Sequence, residues 1–361
     1  MGDLAENRPR ARDIGVDIGI MPPGESNSIC DVPGVKVGHT TLMADDGQLI
    51  KGRGPVRTGV TAVVPADDIS IYEKLPAAVD VINGFGKSVG LMQIMELGEI
   101  ETPILLTNTL NVGKVSQHLV EWIIEKYPEV VSVNPVVMEC NDSYLNDIRG
   151  MHVGRDHVFE ALKTAGKDLS EGCVGAGTGM RSFGFKSGIG MASRVVKCGE
   201  KTYVLGALVL NNMGAAGDLR IDGIPVGRML MESRKEPHGS IIMIVGTDAP
   251  LTSWSLKRVA RRASFGLART GGMASHGSGD IALAFSTVPA VDAQAQDVEQ
   301  VTKHITDFFR ACIESVEEAI INSLLRSHKV IGRDGNTAEA IPIDAVTDLL
   351  MKHRNHTISI I

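Results

Sequence analysis

The sequence runs to 361 residues, 43% hydrophobic and 22% charged, enough to bury the core of one large α/β domain or two small ones. Its formal net charge of −7 opposes non-specific binding to nucleic acid or to an anionic membrane, both of which need a basic surface. Five scattered cysteines with no CxxC pair support neither a zinc site nor a disulfide framework, and are expected to be buried thiols of a reducing compartment.

The opening residues, MGDLAENRPRARDIG, mix acids with arginines and lack the apolar stretch of a signal peptide. The segment to about Asn27 reads as a flexible or surface-docked arm. No run approaches the ~20 apolar residues of a membrane span, so the chain is expected to be soluble and cytoplasmic. Short β-branched runs then predict strands over Val60–Val64, Ile104–Thr107, Val130–Met138, Tyr203–Leu210, Ile241–Val245 and Ile281–Ser286. Amphipathic stretches predict helices over Lys87–Glu96, Val112–Lys126, His152–Ala165, Leu256–Thr270 and about Val298–Arg326. In the last of these, Val301, Ile305, Phe308, Phe309, Cys312 and Val316 repeat on one helical face. Several strands are apolar on both faces, which predicts sheets packed against each other and flanked by helices. One break stands out: ESRKEPH, over Glu232–His238, is charged, holds a proline and directly precedes an apolar strand.

Forty glycines invite nucleotide motifs, but none fits. Gly175-Ala-Gly177-Thr-Gly179 lacks the GxGxxG spacing, and Gly84-Phe-Gly86-Lys87-Ser88 lacks the earlier glycine of a phosphate loop. Both read as glycine turns lining a cleft. HExxH and GxSxG are absent, and His152 and His157, five apart, do not share a helix face. No metal or cofactor is expected. What remains is a serine cluster. Gly239-Ser240 opens one strand, and Ser275-His-Gly-Ser278-Gly-Asp280 opens another. Residues two apart on a strand share a side, so Ser278 and Asp280 can face one cleft, although a polar turn at a strand start would look the same. Asn211-Asn212 ends a strand either as turn residues or as donors to an oxyanion.

A series of ordered blocks resolves much of this. They are DVPGVKVGHTT at Asp31, RTGVTAVVP at Arg57, NGFGKSVG at Asn83, ILLTNTLNVGKV at Ile104 and VVMECNDSYLNDIRG at Val136. GCVGAGTGM at Gly172, LVLNNMG at Leu208, HGSIIMIVGTDAPL at His238 and ASHGSGDIALAFST at Ala274 complete the set. From about Ile29 to Ile343 the chain thus resembles the L-aminopeptidase/D-esterase/amidase family, which includes the β-peptidyl aminopeptidases. The resemblance implies a four-layer α-β-β-α sandwich like that of N-terminal-nucleophile hydrolases. It implies one domain over 1–361, cut before a serine into a larger piece, 1–239, and a smaller one, 240–361. The cleavage site would be Gly239–Ser240.

Carried over residue by residue, the resemblance makes Ser240 the nucleophile and Asn212 the oxyanion donor, with Asn211 as competing neighbour. Tyr144 lies near the active centre, and Ser278 with Asp280 supports the nucleophile. Glu139 would hold the substrate's amino group, a role Asp142 could share or take. The implied activity is release of N-terminal amino acids from short peptides, amides or esters, without cofactor, by a homo-oligomer, commonly a tetramer of two-chain protomers. Two alternatives remain open. One is an amino-acid acyltransferase like the ornithine acetyltransferases, which use threonine where this chain has serine. The other is a non-enzymatic binding protein on the same scaffold.

Overall fold

The computed structural model describes residues 8–66, 73–167, 169–230 and 239–358. The strands in chain order are β1 Lys36–Ala44, β2 Val56–Val64, β3 Leu75–Gly84, β4 Glu99–Ile100, β5 Ile104–Asn108, β6 Val136–Cys140 and β7 Arg181–Ser182. They continue with β8 Phe185–Lys186, β9 Ile189–Cys198, β10 Lys201–Asn212, β11 Ser240–Thr247, β12 Gly279–Ser286, β13 Val330–Ile331 and β14 Thr337–Ala338. The helices are α1 Leu91–Leu97, α2 Val112–Lys126, α3 Arg155–Lys163, α4 Val226–Leu230 and α5 Ser253–Ala260. α6 Ala263–Arg269, α7 Ala295–Lys303, α8 Ile305–Leu325 and α9 Ile343–Ile358 follow.

The longer strands form two sheets, one ordered β1-β2-β5-β6 and one ordered β4-β3-β12-β11-β10-β9. Strand alternation sorts their side chains into three apolar layers. Ala62, Leu105 and Val137 pack with Val115 and Leu119 of α2 and Val158 of α3. Their neighbours Val63, Leu106 and Met138 point the other way, onto Leu210, Ile242 and Leu283 of the six-stranded sheet. On the far side of that sheet Val209, Ile241, Met243 and Ala282 meet Val259 of α5, Leu267 of α6 and Phe308 and Ile320 of α8. The order is helices, sheet, sheet, helices: the α-β-β-α sandwich the sequence predicts. Each sheet is covered on both faces, which is why its strands read as continuous apolar runs.

Several boundaries differ from expectation for local reasons. The strand predicted from Val130 begins at Val136, after Pro135, which has no N–H to give a ladder. The helix predicted from Lys87 begins at Leu91, because Val89 pairs with Val137 in both directions and Gly90 then turns the chain at φ +90°. The helix predicted over His152–Ala165 is confined to Arg155–Lys163. The long helices predicted at Leu256 and Val298 are each two, broken at Arg261–Arg262 and at His304. The described part of the N-terminal arm is docked: Arg8 donates to the carbonyls of Leu325 and Ile341, and Arg10 pairs with Glu171 at 2.9 Å. The charged break at Glu232–His238 lies outside the described residues. All five cysteines are buried, and none is in a disulfide.

Candidate active site

Ser240 is the first residue of β11, and strand pairing decides what stands beside it. Asn212, the last residue of β10, is its antiparallel partner, and Asp280 of β12 pairs with Ile241, one residue on. Gly239 precedes Ser240 with φ +98°, and a Cβ there would fall 1.6 Å from the Asn212 carbonyl oxygen. Only glycine fits a backbone that close and that conformation.

The two glycine-rich blocks meet over this serine. A Cβ on Gly279 would lie 2.6 Å from Gly86 Cα, so the two backbones are in direct contact. That crossing aims two amide donors. Gly279 N–H donates to Ser240 Oγ at 2.9 Å, and Lys87 N–H donates to Glu139 Oε1 at 2.8 Å. Asn83 braces the crossing, its Nδ2 donating to the carbonyl of Ser275 at 2.9 Å.

Glu139, on β6 of the opposing sheet, also accepts the Thr109 hydroxyl on its second oxygen. It is 3% exposed, and this burial pushes its carboxyl above the ordinary range despite both hydrogen bonds. Asn212 is held at both ends: Nδ2 donates to the Asn141 carbonyl at 3.0 Å, and Oδ1 accepts the Arg181 N–H at 3.1 Å. Tyr144 carries the Arg181 guanidinium over its ring, 3.7 Å from the centroid. Ser240, Gly239, Asn212, Glu139 and Tyr144 line one cleft of about 260 Å³.

Ser278 and Asp280 do face one cavity together, but a separate, narrow one. It shares Gly239 with the cleft and is closed by Met213, Leu267 and Met273. The Gly239 backbone therefore stands between the two spaces. The Ser278 hydroxyl donates to Asp280, and the backbone N–H of Ile241 also supports that carboxylate, while burial raises its pKa to about 6. Asp142 is fully buried outside the cleft, accepts Asn146 Nδ2 at 3.0 Å, and is lifted by burial to about 7. Asn211 turns away, donating to Ser323 of α8 at 2.9 Å. Lys87, Thr109, Asn141 and Arg181 also line the cleft, and sequence reasoning missed their part in it. Lys87 and Thr109 lie inside blocks already noted, whereas nothing in the spacing marks Arg181. Among the described residues no group of His, Cys, Asp and Glu could hold a metal ion, and no helix is long and apolar enough to cross a membrane.

Comparison with known proteins bears on this arrangement. The model of peptidase family S58 matches residues 27–338. The β-peptidyl aminopeptidase BapA of Sphingosinicella xenopeptidilytica is 39% identical over 95% of this chain and 91% of its own. The PH0078 protein of Pyrococcus horikoshii superposes with a TM-score of 0.90 at 50% identity, covering 96% of this chain and 99% of that one. The L-aminopeptidase D-Ala-esterase/amidase of Ochrobactrum anthropi is described as a prototype serine aminopeptidase and a variant of the Ntn hydrolase fold. It superposes with a TM-score of 0.84 at 33% identity, over 96% and 99% of the two chains. Sandwich and similarity together define an N-terminal-nucleophile-type hydrolase. The chain belongs to peptidase family S58, and its activity is that of an aminopeptidase. Neither an acyltransferase nor a non-enzymatic binding protein is favoured by these matches.

Proposed function

We propose that this aminopeptidase cuts itself between Gly239 and Ser240, dividing one domain into pieces 1–239 and 240–361, and that the freed Ser240 is its nucleophile. The observation that carries the reading is the single cleft lined by Ser240, Gly239, Asn212 and Glu139. In the cut, Ser240 Oγ attacks the Gly239 carbonyl carbon, the acyl group shifts from nitrogen to oxygen, and water hydrolyses the ester. Gly239 suits this step because it leaves the carbonyl unshielded by a side chain.

The product carries a free α-amine on Ser240, with a reference pKa near ~7.7–8.0, so a useful fraction is neutral at pH 7 and can accept the hydroxyl proton. Asp280 accepts the N–H of the very next residue, Ile241, and with Ser278 supports the new terminus from behind. Ser240 Oγ then attacks the substrate carbonyl and forms an acyl-enzyme. Asn212, its amide fixed by Asn141 and Arg181, stabilises the oxyanion, a donor typically worth about 3 to 4 kcal/mol. Glu139 pairs with the substrate ammonium, and Tyr144 walls the cleft beside it. Asp142, outside the cleft, keeps the surrounding loop in shape.

The substrates so read are short peptides, amino-acid amides and esters, in keeping with the cleft's small volume. The similarity to a β-peptidyl aminopeptidase supports including β-amino acyl N-termini. The working form is a cytoplasmic homo-oligomer, a tetramer of two-chain protomers. Denaturing electrophoresis tests the core of this. The purified protein should give two bands, the larger about twice the smaller, and the smaller should begin SIIMIVG on N-terminal sequencing. Ser240→Ala should stay one chain. A smaller piece beginning elsewhere would remove Ser240 from the role.

A further inference from the structure

The cleft contains a cation that the reaction as drawn does not use. Arg181 is half-buried, its guanidinium flat on the Tyr144 ring. Most other half-buried or buried arginines of the described chain donate side-chain N–H groups to protein oxygens, while Arg258 stacks on Trp254 and Phe309. Arg8, Arg57 and Arg326 donate to carbonyls, and Arg10, Arg12 and Arg194 to carboxylates. Among the described residues, no carboxylate or carbonyl oxygen accepts from the Arg181 side chain, while its backbone N–H donates to Asn212 Oδ1. Burial also pulls its pKa below the ordinary arginine value. Lining the cleft with no protein acceptor, this guanidinium can turn its donors to an anion that enters.

We propose that Arg181 binds a substrate carboxylate on the leaving-group side, and that the preferred substrates are dipeptides with a free C-terminus. This rests on the reading of Ser240 as nucleophile and Glu139 as the ammonium site. Glu139 and Arg181 are anchored through different partners, Glu139 by Lys87 and Thr109, Arg181 by Asn212 and Tyr144. A substrate held by its ammonium at Glu139, with its carbonyl at Ser240 and Asn212, has only its leaving residue left to place. A dipeptide ends there in a carboxylate, whose two oxygens match the planar donor fork of a guanidinium. The ring beneath Arg181 keeps water from one face and sets the plane of that fork. Lys87 is a poorer candidate, being exposed at the rim with its ammonium 4.8 Å over Phe85.

The test compares kcat/KM of the processed enzyme on alanyl-glycine and β-alanyl-glycine with that on their C-terminal amides. A third comparison, aspartyl amide against asparaginyl amide, puts the carboxylate on the released residue instead. The wild type should favour the free acid over the dipeptide amide by about tenfold to a hundredfold. Arg181→Gln should remove that preference mainly through KM, and Arg181→Lys should restore part of it. Either substitution keeps the backbone N–H that holds Asn212, and the two-band pattern on a gel reports that the variant has folded and matured. If Arg181→Gln does not mature, Arg181→Lys must still lower the acid-to-amide ratio, since it keeps the charge and loses the fork. Equal rates on acid and amide, or a preference untouched by both substitutions, would overturn the proposal. A preference confined to the aspartyl amide would overturn it too, by moving the carboxylate to the released residue. No turnover of any free-amine substrate by processed wild type would instead sink the reading of Ser240 and Glu139.

Discussion

Glu139 is held as an acceptor on both oxygens, by a backbone amide and a hydroxyl, yet burial still lifts its carboxyl above the ordinary range. Those two donors offset only part of the desolvation, and an incoming ammonium would supply the rest. Removing one member of such a buried pair typically costs about 3 to 5 kcal/mol. Glu139→Gln should therefore lower kcat/KM on free-amine substrates by about two to three orders of magnitude. N-acetylated substrates should be turned over slowly by wild type and variant alike. Self-cleavage should survive, because the internal Gly239–Ser240 bond presents no amino terminus. Steady-state kinetics on matched free and acetylated substrates check this; equal rates on the two would refute an ammonium site.

At the scale of elements, the crossing of the 83–90 segment with the start of β12 is what joins Ser240 and Glu139 into one site. Gly279→Ala would drive a methyl against Gly86 Cα at 2.6 Å and Gly86 N at 2.8 Å, both backbone, with no flexible side chain to yield. The segments must part, and both aimed amides, Gly279 N–H and Lys87 N–H, move off their acceptors. The expected outcome is a folded protein whose activity falls by at least about tenfold, read by calorimetry beside kinetics. Gly113→Ala, where a Cβ meets nothing within 4 Å, should change neither. Elements were legible where their chemistry was uniform. β10, β11 and β12 read as apolar runs, whereas β9 escaped notice because its departures from that pattern are contacts with α8. A Cβ on Gly190 would strike the Ala319 carbonyl at 1.9 Å, and Arg194 is polar only to meet Glu314 and Glu318. The site divides the same way. Gly239, Ser240, Asn212 and Glu139 sit in recognisable blocks, while Arg181 reaches the cleft through a tertiary contact with Asn212 that no local spacing encodes.

Across the whole molecule, β11 and β12 lie in the middle of the six-stranded sheet, between β10 on one side and β3 on the other. The smaller piece of the proposed cleavage would thus be gripped by the larger on both edges, with α8 lying across β9 and β10. The two pieces should co-elute in native gel filtration and separate only in denaturant; separation in plain buffer would contradict this interleaving. A further consequence concerns time and not shape. An uncut chain would fold as a first-order event, with every strand tethered to its neighbours. The matured protein, once unfolded, would have to find its missing half by collision, so recovery would become second-order and dilution would defeat it. A protein cut in this way would persist by the height of its unfolding barrier instead of by reversible equilibrium, each molecule in effect folded only once.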